Sequence, residues 1–371
     1  MVSSLDSNVP QAAKRQRVQA AVVPRLGGKD KTAEIQRLLA ASVNAHAGIA
    51  IVMSWNIDGL DEVGGLEALT LRTLDVALAI AKARPVAVLL QECVHHSLKL
   101  LDDHSVLGAS YDILVPRNPP MPYYVAILLD KKRTRVLAGP HTVDFSSTQM
   151  GRQLLSVIAV VDGQLEQPFV FATAHLESTK DHGEERKRQL KRSLESMRSS
   201  VQTASALGKS PCTPCCIFGG DLNLRDEEFT KVQLEMGDDS EGIVDVWSWC
   251  GSNEAERYTW DTTENTNLDC VYKYRSRFDR LFFLTPGISD EPGTKAKSKA
   301  KANGKGKAKA MVHLELEKKP GWRPTSFSLI GKHKVHGLNR FPSDHWGMLT
   351  EFCCGQRLSA RGSPVRRTGS D

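Results

Sequence analysis

The 371-residue sequence has no run of about 18 or more consecutive apolar residues, the length that a membrane-spanning helix requires. Even the apolar stretch "VALAIAKARPVAVLL" is interrupted by Lys82 and Arg84. The first forty residues lack the apolar core of a secretory signal, and they contain Asp6, Asp30 and Glu34, which argue against a transit peptide. We therefore expect a soluble globular protein of a reducing, intracellular compartment, without membrane contact.

The sequence also lacks the cysteine spacing of a zinc site. Eight cysteines in a chain of this length fit thiols rather than a disulfide scaffold. "PCTPCC" contains one C-x-x-C pair, Cys212 and Cys215, but zinc would require a second pair, which only the adjacent Cys353 and Cys354 could supply. A cysteine-rich loop that enters a buried strand is the favoured interpretation, and metal binding by the pair stays open.

Acidic residues are absent between Glu291 and Glu315, where seven lysines raise the formal net charge from −1 to +6. The low complexity of "KAKSKAKANGKGKAKA" predicts a disordered insert over 290–320. The insert either attracts phosphates in a salt-sensitive way or is a tolerated insertion. The folded remainder is nearly neutral, so any contact with a polyanion there must be local.

The chain divides into an arm, one domain and a tail. Residues 1–46 are interpreted as a flexible arm with one short helix at "KTAEIQRLLAAS", 47–355 as one catalytic domain, and 356–371 as a flexible basic tail. "AKRQRVQ" in the arm has the composition of a nuclear-import patch, although short basic clusters are common by chance. It favours a nuclear location and leaves the cytoplasm open. Nothing in the sequence demands more than a monomer.

Apolar strand-like runs alternate with helical patterns from residue 49 onward. In the long charged helix "GEERKRQLKRSLESMRSS", Leu190, Leu194, Met197 and the following Val201 recur at helical spacing, which predicts a face in the core. Mixed helices and strands predict an α/β domain with sheets packed in layers. The strand-like runs are "GIAIVMSW", "VAVLLQE", "YYVAILLD", "LLSVIAVV", "PFVFATAH", "CCIFGGDLN", "RFDRLFFL" and "HWGMLTEF".

Polar clusters accompany six of these runs, namely "SWNIDG", "LQE", "HLEST", "GDLNLRD", "RFDR" and "SDHWG". Because strand ends form one rim in α/β sheets, we expect the clusters to converge on a single site. Taken singly, each has an ordinary alternative. Glu92 could cap a helix, Asn56, Asp221 and Asn223 could belong to turns, and His175 could be a core histidine.

The residue types in these clusters indicate the chemistry. Glu92 and Asp58 are hard oxygen ligands, so magnesium or manganese is expected rather than zinc. The histidines, asparagines, arginine and remaining aspartates suit attack of water on a phosphodiester, where negative charge develops on non-bridging oxygens. No G-x-x-x-x-G-K-[ST] loop is present, which disfavours chemistry on nucleoside triphosphates.

The motifs resemble those of the endonuclease/exonuclease/phosphatase superfamily, over about residues 49–352 without the insert. Within it, "SWNIDGLD", "LLQE", "AHLEST", "GDLNLRD", "RYTWDT", "RFDRLFF" and "FPSDHWGML" are similar to the tyrosyl-DNA phosphodiesterases of the second type. The resemblance implies a four-layer α/β sandwich, with two central sheets flanked by helices. It implies hydrolysis of the bond between a trapped topoisomerase tyrosine and a DNA 5′ phosphate, in DNA repair, with RNA adducts as a further substrate.

The resemblance also implies roles for individual residues. Glu92, supported by Asp58, would hold one Mg²⁺ or Mn²⁺ ion beside the phosphate. Asp221 would activate the attacking water, and Asn223 would fix its direction.

His345, oriented by Asp279, would donate to the phosphoryl oxygens in the transition state, and Asn56 and His175 would contact the same oxygens. The substrate-binding residues implied by the matching motifs are Asn56, Ile57, Asp58, Gly59, Leu60, Tyr123, His175, Leu176, Glu177, Ser178, Thr179, Lys180, Asn223, Leu224, Arg225, Trp260 and Phe278. For the aromatic residues, ordinary core packing is the alternative.

Two other functions remain open at this level. One is a different activity of the same superfamily: an abasic-site endonuclease, a deadenylase, or an inositol or lipid phosphatase. The other is a catalytically silent nucleic-acid-binding module, against which the presence of Glu92, Asp221 and His345 argues. "RYTWDT" and "HLEST" favour the tyrosyl phosphodiesterase.

Overall fold

The computed structural model describes residues 28–41, 48–161, 167–208, 214–268, 270–284 and 321–354. The lysine-rich insert, the C-terminal tail, residues 1–27 of the predicted arm and Cys212 lie outside these ranges. Of the C-x-x-C pair, only Cys215 is described, and it is buried at the start of a strand.

Fourteen strands are present in the described part of the chain. Numbered in chain order, they are β1 (Ile49–Asn56), β2 (Ala87–Val94), β3 (Tyr111–Leu114), β4 (Tyr123–Asp130), β5 (Thr134–Asp144), β6 (Gln153–Val161), β7 (Pro168–Ala174), β8 (Cys215–Asp221), β9 (Ile243–Asp245), β10 (Trp260–Asp261), β11 (Arg275–Ser276), β12 (Asp279–Leu284), β13 (Trp322–Ile330) and β14 (Gly347–Cys354).

Six α-helices accompany them: α1 (Gly28–Ala40), α2 (Gly65–Ala83), α3 (His95–Leu101), α4 (Gly183–Leu207), α5 (Asp226–Met236) and α6 (Val246–Trp249). Leu190, Leu194, Met197 and Val201 of α4 are all buried, which confirms the predicted core face. None of the helices in these ranges combines the length and the apolar character that crossing a membrane requires.

The strands form two six-stranded sheets and one two-stranded ribbon, β10–β11. The first sheet has the order β13-β14-β1-β2-β4-β3, and the second has the order β5-β6-β7-β8-β12-β9. The eight strand-like runs predicted from the sequence are the eight interior strands of these sheets. The four edge strands and the ribbon were not predicted. An interior strand covered on both faces appears as a continuous apolar run, whereas β5 and β13 carry exposed polar residues and a proline.

Three hydrophobic clusters define four layers. The central cluster joins the facing sides of the two sheets, for example Leu89 and Ile127 with Phe171 and Ile217. A second cluster packs the helices α1 to α3 on the outer side of the first sheet, and a third packs α4 and α5 on the second sheet. The predicted four-layer α/β sandwich is thereby confirmed.

The helix α1 corrects the predicted domain boundary. Residues 28–40 were assigned to a flexible arm, but Ile35 and Leu39 are buried in the cluster around α2. The Nζ of Lys31 lies 2.5 Å from a carboxylate oxygen of Asp75, which is also buried. Because this amphipathic helix covers apolar surface of α2, it belongs to the packed domain, which begins before residue 47.

The topology brings the polar clusters to one rim. β1 and β2 are parallel and connected through α2, and β7 and β8 are parallel and connected through α4. Each pair therefore ends at the same edge of its sheet. β14 runs antiparallel to β1, and β12 runs antiparallel to β8, so these two strands begin at that rim. Asp279, the first residue of β12, pairs in register with Asp221, the last residue of β8.

Candidate active site

The Asp221 carboxylate is the centre of the site. Its Oδ2 accepts a hydrogen bond from Asn56 Nδ2 at 3.0 Å and lies 3.3 Å from His175 Nε2 and 3.7 Å from His345 Nε2. Its Oδ1 accepts the backbone N–H of Asn223 at 3.1 Å. The structure thus brings three of the predicted catalytic side chains, Asn56, His175 and His345, around Asp221, together with the backbone of Asn223.

His345 is held from two sides. Its Nδ1 lies 2.7 Å from Asp279 Oδ2, and its backbone N–H donates to Ser343 Oγ. Ser343 in turn donates to the carbonyl of Asn56, and Trp55 Nε1 donates to the carbonyl of His345 at 2.9 Å. The imidazole is therefore fixed with Nε2 directed towards Asp221.

Neighbouring groups of opposite charge determine the protonation states of His345 and Asp221. Burial would lower the pKa of His345, but the carboxylates of Asp279, Asp344 and Asp221 raise it well above the usual value. Burial would raise the pKa of Asp221, but the two histidines and the Asn56 hydrogen bond lower it overall. His345 is consequently a cation and Asp221 an anion at neutral pH.

His175 is neutral, because of a residue that the sequence did not predict. Arg152 Nη1 lies 2.9 Å from His175 Nδ1. An arginine only donates, so Nδ1 accepts and the ring hydrogen lies on Nε2, facing Asp221. Burial and the charge of Arg152 lower the pKa of His175 to about 3. Arg152 lies immediately before β6. Because β6 pairs antiparallel with β7, the start of β6 lies at the rim, and this pairing is the feature that could have indicated Arg152.

The carboxyls of Asp58 and Glu92 have the opposite surroundings. Burial and the charge of Asp344 raise the pKa of Asp58 to about 8. Burial, Asp344 and Asp221 likewise raise the pKa of Glu92 to about 7. The half-buried carboxyls of Asp58, Glu92 and Asp344 repel one another, and carboxylate oxygens are the ligands that Mg²⁺ and Mn²⁺ prefer. The residues fit a divalent cation.

The geometry favours one predicted ligand over the other. Glu92, His175 and Asp221 have ligand atoms within 4.8 Å of one another, and so do Asp221, Asp279 and His345. Asp58 is in neither group of the described residues. Its carboxylate lies 3.4 Å from Arg72 Nη1. Glu92 is therefore the principal ligand candidate, with Asp58 beside it.

Strained backbone concentrates at the site. Six non-glycine residues of the described ranges have positive φ, and four of them, Asp58, Glu92, Thr179 and Asn223, are predicted site residues. Such conformations cost about 1–3 kcal/mol each and persist where the surrounding structure enforces them. Gly59, next to Asp58, lies directly against β2, because a Cβ on it would be 2.3 Å from the carbonyl oxygen of Glu92. The loop after β1 can approach β2 this closely only with glycine.

An aromatic groove lies beside the catalytic side chains. The ring of Trp260 lies 5.7 Å from Phe278 and 6.0 Å from Tyr274, and the Arg225 guanidinium lies 5.5 Å from Phe278. Trp260 Nε1 donates to Asp344 at 3.3 Å, which links the groove to the catalytic loop. Trp260 and Phe278 are half-exposed, so their rings remain accessible. Tyr274 was not predicted.

Four predicted substrate-binding residues direct their side chains into the protein. Ile57, Leu176 and Leu224 belong to the hydrophobic clusters on the outer sides of the two sheets. The Glu177 carboxylate is buried and accepts four hydrogen bonds, from Thr148, the backbone of Gln149 and Met150, and Gln189. Neighbouring residues of a loop alternate between the site and the core, so a contact of these four residues with substrate would have to come from their backbone, and the assignment stays a prediction.

The remaining predicted substrate-binding residues lie at the surface of the rim. Leu60, Thr179 and Lys180 are exposed, and Ser178 is half-buried with its Oγ 3.2 Å from Met150 Sδ. Tyr123 lines a small pocket with Glu92, Arg152 and His175. These side chains are available to a ligand.

The two packed sheets with this rim define the class of protein. Solved structures with the same fold and under 25% identity include an endonuclease/exonuclease/phosphatase family protein of Bacteroides thetaiotaomicron (14% identity, TM-score 0.54, 83% of this chain and 98% of that one). The chain has the endonuclease/exonuclease/phosphatase fold. A comparison with protein-family models found no match.

More similar proteins narrow the class. Tyrosyl-DNA phosphodiesterase 2 of Gallus gallus is 35% identical over 301 residues, and that of Homo sapiens is 34% identical over 298, covering 81% and 80% of this chain. The chain spans 66% of the length of both, slightly under two thirds. The structure of D. rerio TDP2 complexed with single-strand DNA product matches with 30% identity and TM-score 0.62, over 82% of this chain and 98% of that one. The chain belongs to the tyrosyl-DNA phosphodiesterase 2 family, as predicted.

Proposed function

We propose that this chain is a hydrolase that cleaves the phosphotyrosyl bond between a trapped topoisomerase tyrosine and a DNA 5′ phosphate, with Mg²⁺ or Mn²⁺ as its cofactor. The observation that carries the proposal is the Asp221 carboxylate, which faces His345 on one side and the Glu92 carboxylate on the other. An anionic base, a fixed cationic donor and an oxygen ligand set meet at one point. Membership in the family supports the choice of bond.

Asp221 takes the proton of the attacking water. Its pKa is lowered, so it is ionised and ready to accept a proton at neutral pH. Asn56 Nδ2 and the backbone N–H of Asn223 hold the carboxylate in one orientation, and the Asn223 amide directs the water. A positioned base of this kind contributes about 10²- to 10⁴-fold to rate.

His345 stabilises the negative charge that develops on the non-bridging oxygens. The ring is protonated, and Asp279 accepts from Nδ1, so Nε2 is free to donate to a phosphoryl oxygen. Because the ring is already oriented, the donor costs no reorganisation when charge develops. Neutral His175 and Asn56 donate to the same oxygens.

Glu92, supported by Asp58, holds the cation. A divalent cation bound there would neutralise phosphate charge and would polarise a phosphoryl oxygen. Burial and the neighbouring carboxylates raise the pKa values of Glu92 and Asp58, which supports this assignment, because a bound cation would stabilise the ionised carboxylates.

The leaving group fits a site without a second acid. A tyrosyl phenolate has a conjugate-acid pKa near 10 and departs without the strong protonation that an alkoxide requires. DNA enters along the groove of Trp260 and Phe278, on which the last nucleotides stack, while Arg225 and Ser178 contact backbone phosphates. The D. rerio relative is complexed with a single-strand DNA product, which supports DNA as the ligand.

We test the function by offering the chain 5′-phosphotyrosyl DNA, 5′-phosphotyrosyl RNA, abasic DNA, poly(A) and an inositol phosphate, each with Mg²⁺ and with EDTA. We expect release of tyrosine from the first substrate, abolished by EDTA. Asp112→Asn, an exposed aspartate outside the site, serves as the control for Asp221→Asn. Cleavage of abasic DNA, poly(A) or the inositol phosphate alone would assign a different activity of the fold, and no cleavage would indicate a binding module.

The remaining assignments are proposals that follow from this function. A DNA-repair enzyme acts in the nucleus, and the "AKRQRVQ" patch supports import. The domain ends near residue 355, with a monomer sufficient for activity. Cell fractionation and light scattering measure these two properties.

A further inference from the structure

A buried arginine lies behind the candidate cation site. Arg72, on α2, is 1% exposed and is among the largest fully buried side chains of the described residues. A charge in this position is costly unless its donors are satisfied by partners in good geometry. The hydrogen-bond partners of Arg72 therefore indicate the role of its buried guanidinium.

The guanidinium connects two loops that are far apart in sequence. Nη2 donates to the carbonyls of Asp58 at 3.0 Å and Asp61 at 3.2 Å, both in the loop after β1. Nη1 donates to the carbonyl of Pro342 at 3.2 Å, in the loop before β14. Nη1 also lies 3.4 Å from the Asp58 carboxylate. One planar side chain thus holds backbone from both loops.

Both loops carry groups of the site. Asp58 lies in the first, and Pro342 is two residues before Asp344 and three before His345 in the second. Asp344 and Asp58 repel each other, since the charge of Asp344 disfavours the ionised form of Asp58. The positive charge of Arg72 opposes that repulsion, and a second arginine, Arg340, pairs with Asp61 across the same gap.

We propose that Arg72 is a positioning residue, whose guanidinium sets the separation between the Asp58 loop and the loop of Asp344 and His345, and so shapes the cation site and the catalytic imidazole. The proposal rests on the proposed function of the site. It follows from geometry, because a lysine offers one point charge and cannot hold three carbonyls in the plane of a fork. A displacement of about 1 Å in such loops costs roughly a hundredfold in rate.

The alternative is that Arg72 only stabilises the fold. The two roles make different predictions for Arg72→Lys, which keeps the charge and removes the fork. A purely structural role lowers thermal stability and leaves the folded fraction with wild-type affinities. A positioning role changes the site in protein that is fully folded.

The experiment compares Arg72→Lys and Arg72→Met with Arg84→Met. Arg84 ends the same helix and donates to the Leu38 carbonyl at 2.7 Å, away from the site. For each protein we measure thermal unfolding, Mn²⁺ binding by electron paramagnetic resonance without substrate, and kcat and KM on 5′-phosphotyrosyl DNA.

For Arg72→Lys we expect a folded protein whose Mn²⁺ affinity falls at least about fivefold and whose kcat falls at least about tenfold, with KM nearly unchanged. Arg84→Met keeps both values. Wild-type Mn²⁺ affinity and kcat in folded Arg72→Lys would overturn the proposal, and so would failure of Arg72→Lys to fold. If the wild-type chain cleaves no phosphotyrosyl substrate, the proposed function fails, while the Mn²⁺ titration still decides the positioning role.

Discussion

The two parallel strand pairs deliver acids to the same rim in opposite electrostatic states. The pair β1–β2 supplies Asp58 and Glu92, whose pKa values burial and mutual repulsion raise to about 8 and about 7. The pair β7–β8 supplies His175 and Asp221, and the pKa of Asp221 is lowered. The architecture is similar on the two sides, with one crossover helix each, so local partners make the difference.

The difference is the source of the compensating positive charge. On the second side the chain provides it, through His345, which Asp279 holds in place. On the first side the guanidinium of Arg72 donates to loop carbonyls, and its Nη1 lies 3.4 Å from the Asp58 carboxylate. The β7–β8 side thus contains both a base and a hydrogen-bond donor, and the β1–β2 side is suited to a cation from solution.

Removal of the protonated His345 side chain has the largest expected effect and tests the contrast between the two sides. His345→Ala deletes a fixed, charged donor, so turnover falls at least about a hundredfold, with KM within about threefold of wild type. Additional Mg²⁺ does not restore the rate, because the loss is on the side that needs no external cation. Steady-state kinetics at several Mg²⁺ concentrations measure both properties.

His104→Ala, at an exposed histidine outside the site, is the matched control and keeps wild-type turnover. Turnover of His345→Ala within about tenfold of wild type, or recovery at high Mg²⁺, would contradict the assigned role of the imidazole.

The second prediction concerns Glu92, on the first side, and its effect on the free energy of unfolding. A carboxyl with a raised folded pKa favours folding below its unfolded value and loses that contribution as pH rises through the folded value. For Glu92 the window extends from about 4.5 to about 7. In EDTA, Glu92→Gln therefore becomes more stable than wild type as pH rises from 4.5 to 8, by at most about 3 kcal/mol. Urea unfolding across this range measures the difference.

Glu177→Gln is the opposite case and the matched control. Burial would raise the pKa of Glu177, but its hydrogen bonds lower it overall, so its contribution is present above pH 4.5 and is lost as pH falls through the folded value. The glutamine disrupts charge-assisted bonds and lowers stability by about 1.5–3 kcal/mol above that pH. If both variants shift stability in the same direction at pH 8, the contrast between the two acids is wrong.

The groove provides the smallest effect. Phe278→Ala removes one stacking surface, so KM for a DNA end with several unpaired nucleotides rises about tenfold while kcat changes little. Phe327→Ala, a half-buried ring beside the central core, leaves KM unchanged. A loss of stability in Phe278→Ala without any change in KM would assign the ring to core packing. Kinetics on DNA ends of different overhang lengths distinguish these outcomes.

Part of the site was accessible from the sequence, and part was not. Asn56, Asp221, Asp279 and His345 lie at strand ends, and the expectation that strand ends meet at one rim placed them together. Arg152 was missed because it lies outside the six polar clusters, and its relevance depends on its contact with His175, which only the folded structure shows. Arg72 was missed because an arginine within an apolar helix carries no signal of the two loops that it joins.

The sequence by itself determined the eight interior strands, the core face of α4 and the chemistry of the polar clusters, because burial on both faces requires continuous apolar runs and phosphoryl chemistry requires particular side chains. Only the tertiary structure decided the edge strands, the packing of α1 and the charge states of the acids. Edge strands have mixed faces, and a pKa depends on neighbours that are far apart in the chain and close in space. Asn56 and Asp221 are 165 residues apart, and their side chains are joined by a 3.0 Å hydrogen bond that lowers the pKa of Asp221.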